Sequence, residues 1–197
     1  TEFGWDTLAG YIVSPHEQAA YLQRGYLLGL QAGIDKMFWY WERDAKEPPK
    51  QFFDGCGLFD PKDEPKPAAA ALAALAHFLK HPQPVGTFDL GPNTLGHVFR
   101  DRGKLVACAF QVEEGGPSAE VELPNGELFD MYANPLPARK QRLGIAPIWI
   151  VGLPPSDPIY LATAYELASR RLVRVTAGDT YTVELRVTDN RSSAIRS

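Results

Sequence analysis

The chain has 197 residues, 45% of them apolar, and a formal net charge of −4 with no long run of one sign. That is enough apolar material for one large or two small domains, and the charge argues against a nucleic-acid surface or a polybasic membrane patch. No apolar run reaches the ~20 residues of a membrane helix.

In chain order, residues 1–5 (TEFGW) read as a strand that carries an acid, Glu2. A helix follows in "VSPHEQAAYLQRGYLLGLQAG", with both ends marked. Ser14 suits the N-cap, Pro15 the first helical position, and Glu17 completes a capping box. Ala19, Leu22, Tyr26 and Leu30 recur at helical spacing and form one apolar face, and Gly33 suits the position just past the end. "IDKMFWYW" reads as a buried parallel strand. The loop "ERDAKEPPKQFFDGCGLFDPKDEPK" leads to a second helix that starts at Pro67, in "PAAAALAALAHFLKH", with Asp60-Pro61 marking the turn before it. Alternating strand and helix implies parallel βα units. Two such units cannot close a (β/α)8 barrel of roughly 250 residues. The expectation is therefore α/β plus all-β: residues 1–84 as the last two βα units of an incomplete TIM barrel, with its N-terminal portion elsewhere.

Residues 85–153 read as an antiparallel β-sandwich. "GHVFRDRGKLVACAFQV" is predicted as a hairpin turning at "DRGK". "AEVELPNGELFDMY" is predicted as a second hairpin turning at Asn125-Gly126. "APIWIVGL" adds a strand. Residues 154–172 read as a linker or short helix. Residues 173–197 alternate apolar and polar positions (Val173, Val175, Tyr181, Val183, Leu185, Val187), as expected for the first strands of a further, truncated β-sandwich.

The cysteines, Cys56 and Cys108, and the histidines, His16, His77, His81 and His97, lack metal-ligand spacing. No metal or cofactor is expected, and the cysteines read as free thiols, with one disulfide as the alternative. Glu2 lies at a strand end, where catalytic groups of parallel barrels sit; the competing role for such an acid is a solvated or salt-bridged surface group. Phe38, Trp39, Tyr40 and Trp41 either fill a core or line a sugar site, since pyranose rings stack on indole and the polar tips of Trp and Tyr bond hydroxyls. Trp39 is the first candidate, joined by Trp5 and Trp41. Of Glu42, Arg43 and Asp44, only Asp44 is a candidate ligand, against the alternative of a salt-bridged cluster.

Together, "TEFGW", "VSPHEQAAYLQRGYLLGLQAGIDKMFWYWERD" and "GLFDPKDEPKPAAAALAAL" resemble the end of a (β/α)8 retaining glycoside hydrolase of the β-xylosidase and α-L-iduronidase family and its bacterial kin. "FDMYANPLPARKQRLGIAPIWIVGL" is similar to a recurring D-x-x-G-N pattern of that family's β-sandwich, with Ala133 where glycine is usual, which leaves that turn's geometry open. The resemblance spans about residues 1–153. It implies that Glu2 is the nucleophile and that a non-proline cis peptide follows Trp39. It also implies a carbohydrate substrate and an extracellular or cell-surface setting. The acid/base, an Asn-Glu pair after the fourth barrel strand, has no counterpart in these residues, so the isolated chain is expected to be inactive. The alternative is a carbohydrate-binding or adhesive β-sandwich module on a non-catalytic barrel remnant; a non-enzymatic α/β protein with a structural Glu2 is the third.

Overall fold

The computed structural model describes residues 2–8, 13–46, 53–116, 120–163, 165–168 and 186–189. Strand β1 (Glu2–Phe3), helix α1 (Pro15–Gln31), strand β2 (Phe38–Trp39) and helix α2 (Pro67–Phe78) follow in order, and β1 pairs with β2 in parallel. This is the expected βα alternation. Helix α1 begins with the full capping box between Ser14 and Glu17. It ends in a Schellman motif: Ile34 N–H donates to Gly29 O at 2.9 Å and Gly33 N–H to Leu30 O at 3.1 Å, with Gly33 at φ 74. Two glycines inside α1 each weaken the helix by about 1 kcal/mol relative to alanine. Both admit a close neighbour: a Cβ on Gly25 would lie 2.7 Å from the Phe3 ring, and one on Gly29 would overlap the Met37 side chain.

The next region contains β3 (Gln83–Phe88), β4 (Thr94–Asp101), β5 (Lys104–Gln111), β6 (Glu120–Glu122), β7 (Glu127–Phe129), β8 (Lys140–Arg142) and β9 (Ile148–Val151). Five of these strands form an antiparallel sheet in the order β3-β4-β5-β9-β7, and β6 pairs with β8 separately. The hairpin at "DRGK" is present: Asp101 faces Lys104, and Arg102 and Gly103 turn at φ 49 and 76, the left-handed pair of a tight hairpin.

The hairpin predicted at Asn125-Gly126 is not formed. β6 and β7 join different sheets. Asn125 does not share the positive φ of Gly126 (φ 143), which a two-residue turn of this type requires. Instead Asn125 N–H donates to Asp157, and the Arg139 guanidinium clamps Pro124 O and Gly126 O at 2.6 and 3.0 Å. The stretch carries the chain from one sheet to the other.

One face of the large sheet packs on the helices through Leu27, Leu75, Phe78, Phe99, Phe110 and Trp149. The other face is closed by Val121, Leu123 and Leu143, from the β6 and β8 side, over Val98, Ala107 and Ile150. Cys108 lies in the first cluster, and both cysteines are buried free thiols whose pKa burial pushes up to about 12. Helix α3 (Pro158–Thr163) follows, and β10 (Tyr165–Ala168) pairs antiparallel with β11 (Arg186–Asp189). The predicted strand positions Val173, Val175, Tyr181, Val183 and Leu185 lie outside the described residues.

Two loops share one construction. Asp60 N–H donates to Glu64 O, Asp63 N–H to Asp60 O, and Asp60 Oδ1 accepts from Lys62 and Glu64 N–H. Asp130 repeats each bond with Asn134, Ala133 and Tyr132. The fourth residues, Asp63 and Ala133, stand at φ 70 and 67. Ala133 thus holds the left-handed conformation in which glycine is the default.

Candidate functional site

Register decides what the β1 and β2 strand ends offer. Glu2 lies beside Phe38 and Phe3 beside Trp39. Residues side by side in a parallel pair share a face, and neighbours along a strand alternate. Phe3 and Trp39 meet edge to face at 5.6 Å, and Phe3 also meets Tyr26 of α1 at 5.0 Å. Their face therefore looks onto α1. Glu2, Gly4, Phe38 and Tyr40 take the opposite face; a Cβ on Gly4 would sit 3.1 Å from Tyr40 Cβ. Glu2 is exposed, and Phe38 is 60% exposed. The expectation of a strand buried on both faces is not met, because among the described residues β1 and β2 pair only with each other.

Beyond the strand ends lies a polar knot. The carbonyl of Gly55 accepts from Thr7 N–H (3.2 Å), Thr7 Oγ1 (3.0 Å), Gln18 Nε2 (3.0 Å) and Lys66 Nζ (2.9 Å). Lys66 Nζ also bonds both oxygens of Asp44 at 3.0 and 2.9 Å, and Asp44 accepts from Gly57 N–H at 2.7 Å. Asp6 is buried and accepts from the N–H groups of Leu8 and Phe53, both at 2.7 Å. Gly55 and Gly57 have no room for a side chain: a Cβ on Gly55 would stand 2.5 Å from Asp6 Oδ1, and one on Gly57 would overlap the Arg43–Asp44 backbone. These bonds fix the 53–57 loop against the ends of both strands.

The five predicted site residues are thereby separated. Glu2 and Trp41, 56% exposed, reach solvent. Trp39 and Trp5 belong to the aromatic layer on the α1 side: Trp5 packs on Tyr21 at 5.4 Å and Trp39 on Trp5 at 6.0 Å. The Trp39 indole N–H donates to Cys56 O at 2.7 Å. The Trp39–Tyr40 peptide is trans, so the expected cis bond is absent; the indole faces the helix because Trp39 lies beside Phe3 in the pairing with β1. Asp44 is turned inward, 5% exposed, and held by Lys66. Sequence reasoning passed over Phe53, Asp6 and Lys66; the only local signal was the glycine pair in "DGCG". Among the described residues, no group of three or more His, Cys, Asp or Glu is placed to hold a metal ion, and no helix is long and apolar enough to cross a membrane.

No family model and no curated protein matches the chain. Among solved structures, it is similar to a family 39 glycoside hydrolase from the gut symbiont Bacteroides cellulosilyticus WH2, with a TM-score of 0.62 and 26% identity over 77% of this chain. The match covers 33% of that protein, so the chain spans about a third of its length. The likeness supports a glycoside-hydrolase-like fold, here a mixed helix-and-sheet structure with a five-stranded antiparallel sheet.

Proposed function

We propose that the chain carries the end of the catalytic barrel of a retaining glycoside hydrolase of the β-xylosidase or α-L-iduronidase-like kind, with Glu2 as nucleophile. One observation carries the reading: an exposed carboxylate opens the two-residue strand β1, which pairs in parallel with the next βα strand, in a fold similar to a family 39 glycoside hydrolase. In a retaining mechanism two carboxyl groups about 5–5.5 Å apart flank the scissile bond. Glu2 would attack the anomeric carbon and form a glycosyl ester as the leaving oxygen takes a proton from the other carboxyl. That second group would then deprotonate the water that frees the sugar. In this reading it comes from barrel strands outside the 197 residues, and the enzyme works outside the cell or on its surface.

The test is made on the enzyme that includes those strands, with aryl glycosides as substrates. Glu2→Gln should lower kcat by roughly 1,000-fold or more. In Glu2→Gly, added azide should restore turnover and yield a glycosyl azide of inverted configuration. Unchanged turnover in Glu2→Gln removes the assignment. The exposed aromatics favour a second reading, a carbohydrate-binding module without catalysis; saccharide binding with no turnover in the complete protein would select it.

A further inference from the structure

Two of the exposed large apolar residues, Trp41 and Phe53, are 56% and 48% exposed and share a second property. Both have left-handed backbones, at φ 70 and 82. For a bulky residue this conformation costs on the order of 1–2 kcal/mol, and glycine or asparagine would hold it with less strain. Their surroundings impose it. Phe53 N–H is held by the buried Asp6 carboxylate at 2.7 Å, and Phe53 O accepts from Cys56 N–H at 3.1 Å. The carbonyl just after Trp41, that of Glu42, accepts from Leu58 and Phe59 N–H at 2.9 and 3.1 Å. Both rings meet Tyr40: Trp41 at 5.3 Å and 72°, Phe53 at 4.9 Å and 64°. Tyr40 lies on the face of Glu2, against Gly4. Gly4 is one strand repeat, roughly 7 Å, beyond Glu2, a step comparable with one pyranose unit.

We propose that Tyr40, Trp41 and Phe53 form an aromatic platform that seats a further sugar ring beside Glu2, so that the site takes neutral glycans of two or more units in preference to single sugars. The proposal rests on the glycosidase reading of Glu2 and deepens it. Exposed aromatic faces offer stacking to the C–H face of a pyranose. The exposed acids beside the rings favour a neutral ligand over a uronate, and so the β-xylosidase-like over the α-L-iduronidase-like side of that reading. Glu2 and Glu42 are exposed acids, whereas Arg43 is paired with Asp63 at 2.5 Å and Lys66 with Asp44 at 2.9 Å.

The experiment is a calorimetric titration of the enzyme that includes the remaining barrel strands, in its Glu2→Gln form so that substrate is not consumed, with xylotetraose, cellotetraose and mannotetraose, each against its methyl monoglycoside. Phe53→Gly and Trp41→Gly remove the rings at positions whose backbone suits glycine, and near-UV circular dichroism checks the fold. At least one tetrasaccharide should bind tenfold or more tightly than its monoglycoside, and either glycine variant should abolish most of that difference. Equal affinity for both lengths, full tetrasaccharide affinity in the glycine variants, or no saccharide binding overturns the proposal. So does concentration-dependent self-association that the glycine variants abolish without any saccharide response. The glycosidase reading fails by a separate observable, unchanged turnover in Glu2→Gln, and a chain-length preference that depends on Phe53 would survive that failure.

Discussion

The Trp149 indole N–H donates to Oε1 of Gln23 at 3.2 Å across 126 residues of sequence. Gln23 is fully buried in α1, and its Nε2 donates to Ala71 O in α2 and to Met131 O beyond β7, both at 2.7 Å. One side chain thus ties both helices to the sheet. Gln23→Leu leaves Met131 O and the Trp149 indole N–H without the partner seen here, at about 1–3 kcal/mol for each buried orphan, while Ala71 O keeps its bond within α2. The expected loss is about 3 kcal/mol by urea denaturation. A cycle with Trp149→Phe should show a coupling of about 1 kcal/mol.

His97 gives the fold an acid limit. It is 1% exposed on β4, near Phe99 and Phe110, and neither ring nitrogen has a hydrogen-bond partner. Burial lowers its pKa from 6.5 to about 4. The unfolded chain therefore binds the proton more tightly, and stability falls as pH drops through the window from 6.5 to about 4, by on the order of 3 kcal/mol in total. His97→Leu should remove that part of the pH dependence and, by deleting two orphaned nitrogens, stabilise the protein at pH 7 by about 1 kcal/mol. Denaturation midpoints at pH 7 and pH 4.5 decide it.

The Lys66–Asp44 pair is almost wholly buried, with side chains 9% and 4% exposed. Lys66→Met strands a buried carboxylate and should cost about 3–5 kcal/mol, whereas Lys66→Met with Asp44→Leu should recover part of the loss. The Trp39 indole reads the consequence locally, since Cys56 O, its acceptor, lies between the two glycines the pair holds. Its indole N–H resonance should shift in the single variant.

At Ala133 the left-handed backbone competes with packing, because its methyl lies against the core that includes Phe129 and Trp149. Ala133→Gly should stabilise by roughly 0.5 kcal/mol, the balance of backbone relief over lost contact. A loss of stability by thermal denaturation would show that the methyl contact prevails.

The sequence made legible whatever is decided locally. The capping box at Ser14, the glycine stop at Gly33 and the turn at Arg102-Gly103 each form because a few neighbouring residues settle them. Asn125-Gly126 misled, since the strands beside it find partners in different sheets and Asp157 and Arg139 take its polar groups. At the site, the sequence offered Glu2 and Trp41 as candidates, and both are exposed; whether Trp41 filled the core or faced out was not legible from four consecutive aromatics. Nor was the direction of Trp39, because it follows from pairing with β1. For Asp44 the salt-bridged alternative was legible but its partner was not, since Lys66 lies 22 residues on.

The two loops at Asp60 and Asp130 share a sequence as well as a bond pattern. Leu58-Phe59-Asp60 is followed by Pro65 and Pro67, and Leu128-Phe129-Asp130 by Pro135 and Pro137, at the same spacing. One opens into a helix and the other returns along the edge of a sheet, yet each closes the same bridge, Phe59 with Pro65 and Phe129 with Pro135. The motif behaves as a portable connector whose shape is written in its own few residues. Transplanting residues 60–64 into positions 130–134 should therefore leave the chain's path through the second loop unchanged.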